Sequence, residues 1–397
     1  MPIHTTLCRE GLLYLAVLGF LLAGAITRQI NLLMILFGML AGPLLLSWRM
    51  AKASLKQVEI ERKLPGSISA GDLLHVELKL TNRRRRLASW ALVVGDTIAR
   101  DDGLARDGGL DGNDPLTSEV LFSYVRAGES RTATYRGRLP RRGRYQFGPL
   151  RLSTRFPLGL VKYAFSFDQP DSLVVFPRLG RLTLGWQRWL ESAELGLSQT
   201  ARQQGFTAGE FYGLRDWRSG DSRRWLHWRT SARRQKPVVR QFEQERNQAL
   251  AVIVELWQPE QAEARHADNV ELAVSMAATI VAELCRQGGR WFSLGVAGRQ
   301  NWTQHGPTST ALLHVCMEQL AMVRPAPDDR LPGVLTEVLD RLRRGTRVLI
   351  IGTRAVDLSD PQRFQGLWTE SRLRAWQGRI LSIDASAAEL NEFFIPV

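Results

Sequence analysis

The sequence predicts a membrane-anchored multidomain chain: a two-helix transmembrane hairpin, an all-β sandwich and then an α/β domain. Three observations predict it. Two long uncharged runs lie side by side near the N-terminus, the chain after them alternates apolar and polar residues with period two, and from Ala249 onward apolar strands alternate with helical periods. A length of 397 residues suits two or three domains of about 150 residues each. With 44% hydrophobic and 23% charged residues, there is ample material for folded cores.

Gly11 to Thr27 and Ile30 to Trp48 carry no charge, and as helices they would span roughly 25 and 28 Å. Only Arg28 and Gln29 separate them, which predicts a tight hairpin over 11–48 preceded by an N-terminal tail over 1–10. A cleaved signal peptide is the rival reading, since Arg9 precedes the first run and Ala23-Gly24-Ala25 has the small-x-small form. Cleavage would still leave the second run as an anchor. Arg49, Lys52 and Lys56 follow that run, against the lone Arg28 in the turn, so the rest of the chain is expected in the cytoplasm of a bacterial inner membrane.

Over 56–185 the pattern is that of strands. Leu74 to Leu80 alternates strictly, and Trp90 to Val94, Glu119 to Val125, Thr132 to Leu139, Tyr145 to Leu152, Leu160 to Phe167 and Leu173 to Phe176 are further candidates. Short spacing and Gly, Asn and Pro turns predict a sandwich. The run Arg83 to Arg86 reads as a solvated hairpin turn, with a lipid-headgroup contact as its alternative. Asp101 to Asp114 holds five Asp but neither the spacing nor the closing Glu of a calcium loop, so it reads as a flexible insertion.

The segment 201–246 is unlike the rest. It holds Trp217, Trp225 and Trp228 among eleven Lys/Arg and five Asp/Glu. Asp221 or Ser222 is expected to cap a short helix through Arg234, with Trp225, Trp228 and Ala232 on one face, ahead of a strand from Val238 to Glu243. Ala249 to Glu255 then reads as a buried parallel strand. Helices are expected over Asp268 to Gln287, Ser309 to Val323, Gly333 to Arg344 and Pro361 to Trp376, and strands over Trp291 to Val296, Arg347 to Ile351 and Arg379 to Ile383. Such alternation over 249–397 predicts a parallel sheet covered on both faces.

Chemistry is harder to find. The sequence carries no phosphate-binding glycine loop, no dinucleotide fingerprint, no paired-histidine zinc motif and no nucleophile elbow. Cys8, Cys285 and Cys316 are far apart, with no disulfide framework or metal pair, which suits a reducing compartment. Asp221, His227 and Ser231 superficially resemble a triad but are read as structural, for want of any oxyanion hole. The formal charge of +14, from 53 Lys+Arg against 39 Asp+Glu, fits nucleic acid, an anionic membrane surface or an acidic protein as a partner.

Leu214-Arg215-Asp216-Trp217, Gly220-Asp221, Arg223-Arg224, His227-Trp228-Arg229, Ser231-Ala232-Arg233 and Val239-Arg240, with Arg142-Gly143-Arg144-Tyr145 and Phe156-Pro157-Leu158-Gly159-Leu160 upstream, resemble the bacterial family called domain of unknown function fifty-eight. That resemblance implies a membrane-anchored protein whose last domain is an α/β Rossmann-like, von Willebrand factor A-type fold, working beside a MoxR-type AAA+ ATPase. The magnesium site of such domains needs hydroxyls after the first strand, where this chain has Glu255, Trp257 and Pro259. Arg354 follows the later strand, so no metal and no cofactor are expected. The resemblance thus implies a non-enzymatic adaptor or chaperone-like scaffold with an AAA+ ATPase and other membrane-associated proteins as partners. Binding of an anionic polymer or lipid headgroup through the Arg/Trp motif is the alternative, and no nucleic-acid partner is expected. Within the motif, Arg215, Asp216, Gly220, Asp221, His227, Trp228 and Arg240 are expected to form a structural network. Arg223, Arg224 and Arg233 are the candidates for partner contact.

Overall fold

The computed structural model describes residues 3–101, 116–190, 211–218, 221, 223–242, 249–342, 346–369, 376 and 380–396. The expected insertion beyond Asp101 lies outside the described residues, as do Ser219, Gly220 and Ser222 of the motif. The chain divides into two units, Met1–Phe176 and Pro177–Val397.

The first unit opens with helices Arg9–Arg28 and Asn31–Ser54, about 30 and 36 Å long at 1.5 Å per residue. Both are long and apolar enough to cross a membrane. Most of each is exposed, with Phe20 at 83% and Met39 at 75%, whereas a helix of a soluble core would bury such residues. Gln29 reverses the chain in the left-handed region, and the Tyr14 hydroxyl donates to the Leu40 carbonyl at 2.7 Å. The expected tail is partly a strand: Ile3–Leu7 pairs antiparallel with Val161–Phe167, and the first helix begins at Arg9. Only glycine fits at position 11, because a Cβ there would meet the Leu160 carbonyl oxygen at 2.1 Å.

Two sheets follow. A three-stranded sheet of Val58–Lys63, Leu73–Asn82 and Ser130–Arg138 faces an eight-stranded one built around Ser89–Arg100. Alternation along Leu73–Asn82 turns Leu74, Val76, Leu78 and Leu80 inward, onto Leu92, Val94, Phe147 and Leu152 of the other sheet. The expected strand from Tyr145 to Leu152 is in fact two, Gly143–Phe147 and Leu150–Thr154. Gly148 takes a φ of 113° and Pro149 has no N–H to give a ladder, so pairing stops there. Inside the sandwich, Arg62 binds Asp96 at 2.6 Å and Asp171 at 2.9 Å, and Tyr135 donates to Asp96 at 2.7 Å. Burial and the Asp96 hydrogen bond push the Tyr135 phenol well above its ordinary range.

The arginine run is not a solvated turn throughout. Arg83 is exposed and pairs with Glu59, but Arg84 is buried against the end of the second helix. Its guanidinium donates to the carbonyls of Ala53 at 2.9 Å, Ser54 at 3.4 Å and Ala88 at 3.1 Å, to the Asn82 side chain at 3.1 Å, and to the Ser89 hydroxyl. The last carbonyls of a helix have no partner within it, and a cation there also meets the negative end of the helix dipole. Burial pulls the Arg84 guanidinium below its ordinary value.

In the second unit, five strands lie in the order Trp302–Pro307, Trp291–Ala297, Ala249–Glu255, Arg347–Gly352, Ile380–Asp384. Four are parallel. The expected wholly parallel sheet is therefore mixed, because Trp302–Pro307 returns as an antiparallel hairpin along one edge. Helix Ala264–Gln287 covers one face of the sheet. Leu331–Arg341 and Pro361–Thr369 cover the other, packing on Ala251, Ile253, Val348 and Ile350. Arg181–Leu182, which the sequence assigned to the sandwich, pairs instead with Phe394–Ile395 of this unit.

Arg84→Ala is expected to lower the unfolding free energy by about 3 kcal/mol, since several buried carbonyls lose their donor. The exposed Arg85→Ala should cost less than about 0.5 kcal/mol. Thermal melts of the detergent-solubilised protein compare the two, and equal melting temperatures would contradict the tie.

Candidate functional site

Numbered along the chain, the five strands of the second sheet run 3-2-1-4-5, so the order reverses between Ala249–Glu255 and Arg347–Gly352. In open sheets of this kind ligands bind outside the carboxyl ends of the strands at that reversal. Glu255 ends one of the two strands; Gly352 ends the other, and Thr353 and Arg354 follow it. The Thr353 hydroxyl accepts from the Trp257 N–H at 3.1 Å and donates to its carbonyl at 2.7 Å, and the Trp257 indole donates to the Pro327 carbonyl at 2.8 Å. These bonds lock the loop holding Trp257 and Pro259 against its neighbours.

The Glu255 side chain is 2% exposed. Arg354 donates to its Oε1 through Nε at 3.1 Å and Nη2 at 2.9 Å, and Arg363 donates to the same oxygen. Arg363 also grips Asp329 through Nε at 2.6 Å and Nη2 at 3.0 Å, and Arg354 reaches Asp329 at 3.4 Å. Beneath this group the Trp257 ring lies 4.4 Å from the Arg354 guanidinium carbon, a cation–π contact. Two cations and two carboxylates thus fill the switch point and neutralise each other. Burial alone would push the Asp329 carboxyl up, but the Arg363 hydrogen bond and both guanidinium charges hold it below its usual range. Burial pulls Arg363 down, and its carboxylate partners more than restore it. Glu255 Oε2 has no hydrogen-bond partner among the described residues. A Cβ at position 352 would meet the Arg354 carbonyl at 2.5 Å, so glycine is what lets this turn close.

The sequence placed Glu255, Trp257, Pro259 and Arg354 at this corner and missed Asp329 and Arg363. Both missed residues come from the face that covers the sheet: Arg363 lies in the first turn of Pro361–Thr369, and Asp329 precedes Leu331–Arg341. Asp328-Asp329 ahead of Pro332 and Arg363 just after Pro361, each at a helix start, were the available signals, but only folding joins them.

The Arg/Trp motif forms a separate hairpin. Phe211–Asp216 pairs antiparallel with Val238–Phe242, with a short helical insert between them. The expected helix through Arg234 is broken in two. A 3-10 turn covers Arg223–Trp225, Leu226 bridges to Val239, and the α-helix is only Trp228–Arg234. Its cap is His227, whose Nδ1 accepts from the Thr230 N–H at 3.3 Å, not Asp221. Asp221 instead binds Arg215 with both oxygens, at 2.7 Å each, and accepts from the Arg218 N–H at 2.8 Å. The Arg215 hydrogen bond, then the Arg218 N–H, hold the Asp221 carboxyl below its usual range. The Ser231 hydroxyl bonds the Val238 N–H at 2.9 Å. Asp221, His227 and Ser231 thus have three separate structural partners and form no relay.

Of the expected network, Arg215, Asp221 and His227 are held as described. Three members are not. Trp228 is 72% exposed, and Asp216 and Arg240 are exposed too, although Val238 and Val239 just before Arg240 are wholly buried. Trp228 and Ala232 share a face as expected, but that face is the open one. Arg223 and Arg233 are exposed, as a contact role requires; the Arg224 side chain and Gly220 lie outside the described residues.

An α/β unit with a self-neutralised switch point and a basic hairpin is what these residues define. Residues 213–367, which span both features, match the family model described as Protein of unknown function DUF58. The "Uncharacterized protein YeaD" of Bacillus subtilis (strain 168) is 26% identical over 224 residues, 56% of this chain and 51% of YeaD. The chain therefore spans about half the length of that curated relative. Both matches support the DUF58 resemblance. Among solved structures, the CARDB domain of a Pyrococcus furiosus protein is 12% identical and covers 30% of this chain and 91% of its own, with a TM-score of 0.19. Spo0M, a sporulation control protein of Bacillus subtilis, is 9% identical and covers 41% and 58%, also at 0.19. At such scores neither likeness carries an argument.

Asp221→Asn should destabilise the protein by about 2 kcal/mol at neutral pH through loss of a charge-assisted pair, while Arg240→Ala stays within about 0.5 kcal/mol. Because the Asp221 carboxyl titrates lower folded than unfolded, its contribution is complete above the ordinary carboxylate value of about 4 and fades as pH falls through the depressed folded one. The gap between wild type and Asp221→Asn should therefore narrow in acid melts, and a gap that widens would contradict the pair.

At the switch point, titrating the solubilised protein with Mg²⁺ or Mn²⁺ in a calorimeter should give flat heats. Saturable binding that disappears in Glu255→Ala would show that a metal displaces the arginines.

Proposed function

We propose that this protein is a non-enzymatic, membrane-anchored adaptor whose α/β unit presents binding surfaces to a MoxR-type AAA+ ATPase during the assembly or maturation of other proteins. The observation that carries the reading is the occupied switch point. Where a ligand-using α/β fold opens a crevice, Arg354 and Arg363 already hold Glu255, and Asp329 completes the neutralisation. A site whose two carboxylates are held by its own arginines suits a scaffold. The 3-2-1-4-5 strand order with one antiparallel edge supports the likeness to a von Willebrand factor A-type domain. The AAA+ partner comes from the family resemblance alone.

In this reading both ends of the apolar hairpin face the cytoplasm of a bacterial inner membrane, following the bias of Arg49, Lys52 and Lys56. Reporter fusions at Gln57 and at the C-terminus should both give cytoplasmic signals. The partner is tested by affinity capture from detergent-solubilised membranes. An AAA+ ATPase should be retained by the wild type in the presence of nucleotide. Its absence, or a periplasmic C-terminus, would overturn the proposal.

A further inference from the structure

The basic hairpin carries an inference that goes beyond the adaptor reading and does not depend on it. Read along the sequence, its arginines are offset by nearby acids. In the folded hairpin that offset is uneven. Arg215 consumes Asp221, both partly withdrawn from solvent, so Asp221 neutralises none of the outer cations. Along the insert, Arg229, Arg233, Arg234 and Lys236 are exposed, and none of the four forms an ion pair with another described residue. Asp216 is the exposed acid among the described residues of the hairpin.

The helix Trp228–Arg234 sorts its residues by face. Thr230 and Ser231 turn inward, with Ser231 tied to Val238, while Trp228 and Ala232 form one outer row and Arg229 and Arg233 the adjacent one. Trp228 is left 72% exposed, beside cations, on an element fixed to a hairpin whose Val238 and Val239 are wholly buried. A large amphipathic ring standing out among arginines matches the headgroup layer of a membrane, which takes indole at its apolar boundary and guanidinium at its phosphates. The same chain carries two helices long and apolar enough to cross a bilayer, so such a surface would be at high effective concentration.

We propose that the face formed by Trp228, Arg229, Ala232 and Arg233 docks on anionic phospholipid headgroups, with Trp228 entering the interface and the arginines engaging phosphate. The favoured occupant is a lipid surface because the exposed face sets an indole row beside a guanidinium row, the complement of an interface with an apolar boundary and anionic phosphates.

The test uses the full chain in nanodiscs of phosphatidylcholine alone or mixed equally with phosphatidylglycerol. Hydroxyl-radical oxidation of Trp228, read by peptide mass spectrometry, reports its exposure. Trp228 should oxidise several-fold more slowly in the phosphatidylglycerol discs, and high salt should remove the difference. Neutralising Arg229 and Arg233 together (Arg229→Gln, Arg233→Gln) should weaken the docking about 25-fold, at about fivefold per cation, and restore oxidation without moving the melting temperature. The salt arm needs no variant, so it stands even if the double substitution perturbs folding. Equal oxidation in both discs would overturn the proposal. So would protection that appears in neither disc until an acidic protein is added, which would give the face to a protein partner.

Discussion

A carboxylate buried to 2% exposure at the end of a central strand must find cationic or hydrogen-bonding partners, and the carboxyl edge of the second sheet is arranged around supplying them to Glu255. Arg363 fixes the start of the helix Pro361–Thr369, Arg354 fixes the turn after Arg347–Gly352, and Asp329 joins both to the segment before Leu331–Arg341. Three connections are thereby pinned to one strand end. A buried ion cluster adds little net stability over an apolar one, yet breaking it is expensive, so it fixes geometry more than it strengthens the fold. The corner where such a sheet would open to a ligand is instead a clamp.

Arginine is used in two ways in this chain. Arg62, Arg84, Arg215, Arg354 and Arg363 have their guanidinium forks taken up by carboxylates or carbonyls, each joining segments distant in sequence or closing a turn. Arg84 is the clearest case, since it satisfies carbonyls at the end of an apolar helix from the connection between two strands. Others, such as Arg229, Arg233 and Arg240, stand in solvent.

Periodicity made most elements legible: strict alternation over Leu73–Asn82, an apolar run at Ala249–Glu255, and a helical stripe ending at Gly288 all mark their elements. The edge strand Trp302–Pro307 escaped because only Gly306 in it is buried, leaving no apolar alternation to read. The switch-point corner was half legible. Glu255 and Arg354 follow strand ends and can be aligned on paper, whereas Asp329 and Arg363 reach the corner through helix packing, which no local pattern encodes. In the motif, spacing implied one continuous helix from Asp221. A tertiary bridge between Leu226 and Val239 broke it and turned Trp228 outward. Arg84 looked like its exposed neighbours because its acceptors belong to a helix that ends thirty residues earlier, at Ser54.

The central claim is that Glu255 and Arg363 act as one clamp at the switch point. A double-mutant cycle between Glu255→Gln and Arg363→Met, read by chemical denaturation of the solubilised protein, measures it most directly. The clamp predicts a coupling energy of about 2–3 kcal/mol, with the double variant far less destabilised than the two single effects summed. Strictly additive effects would mean that the two side chains do not depend on each other, and would contradict the account.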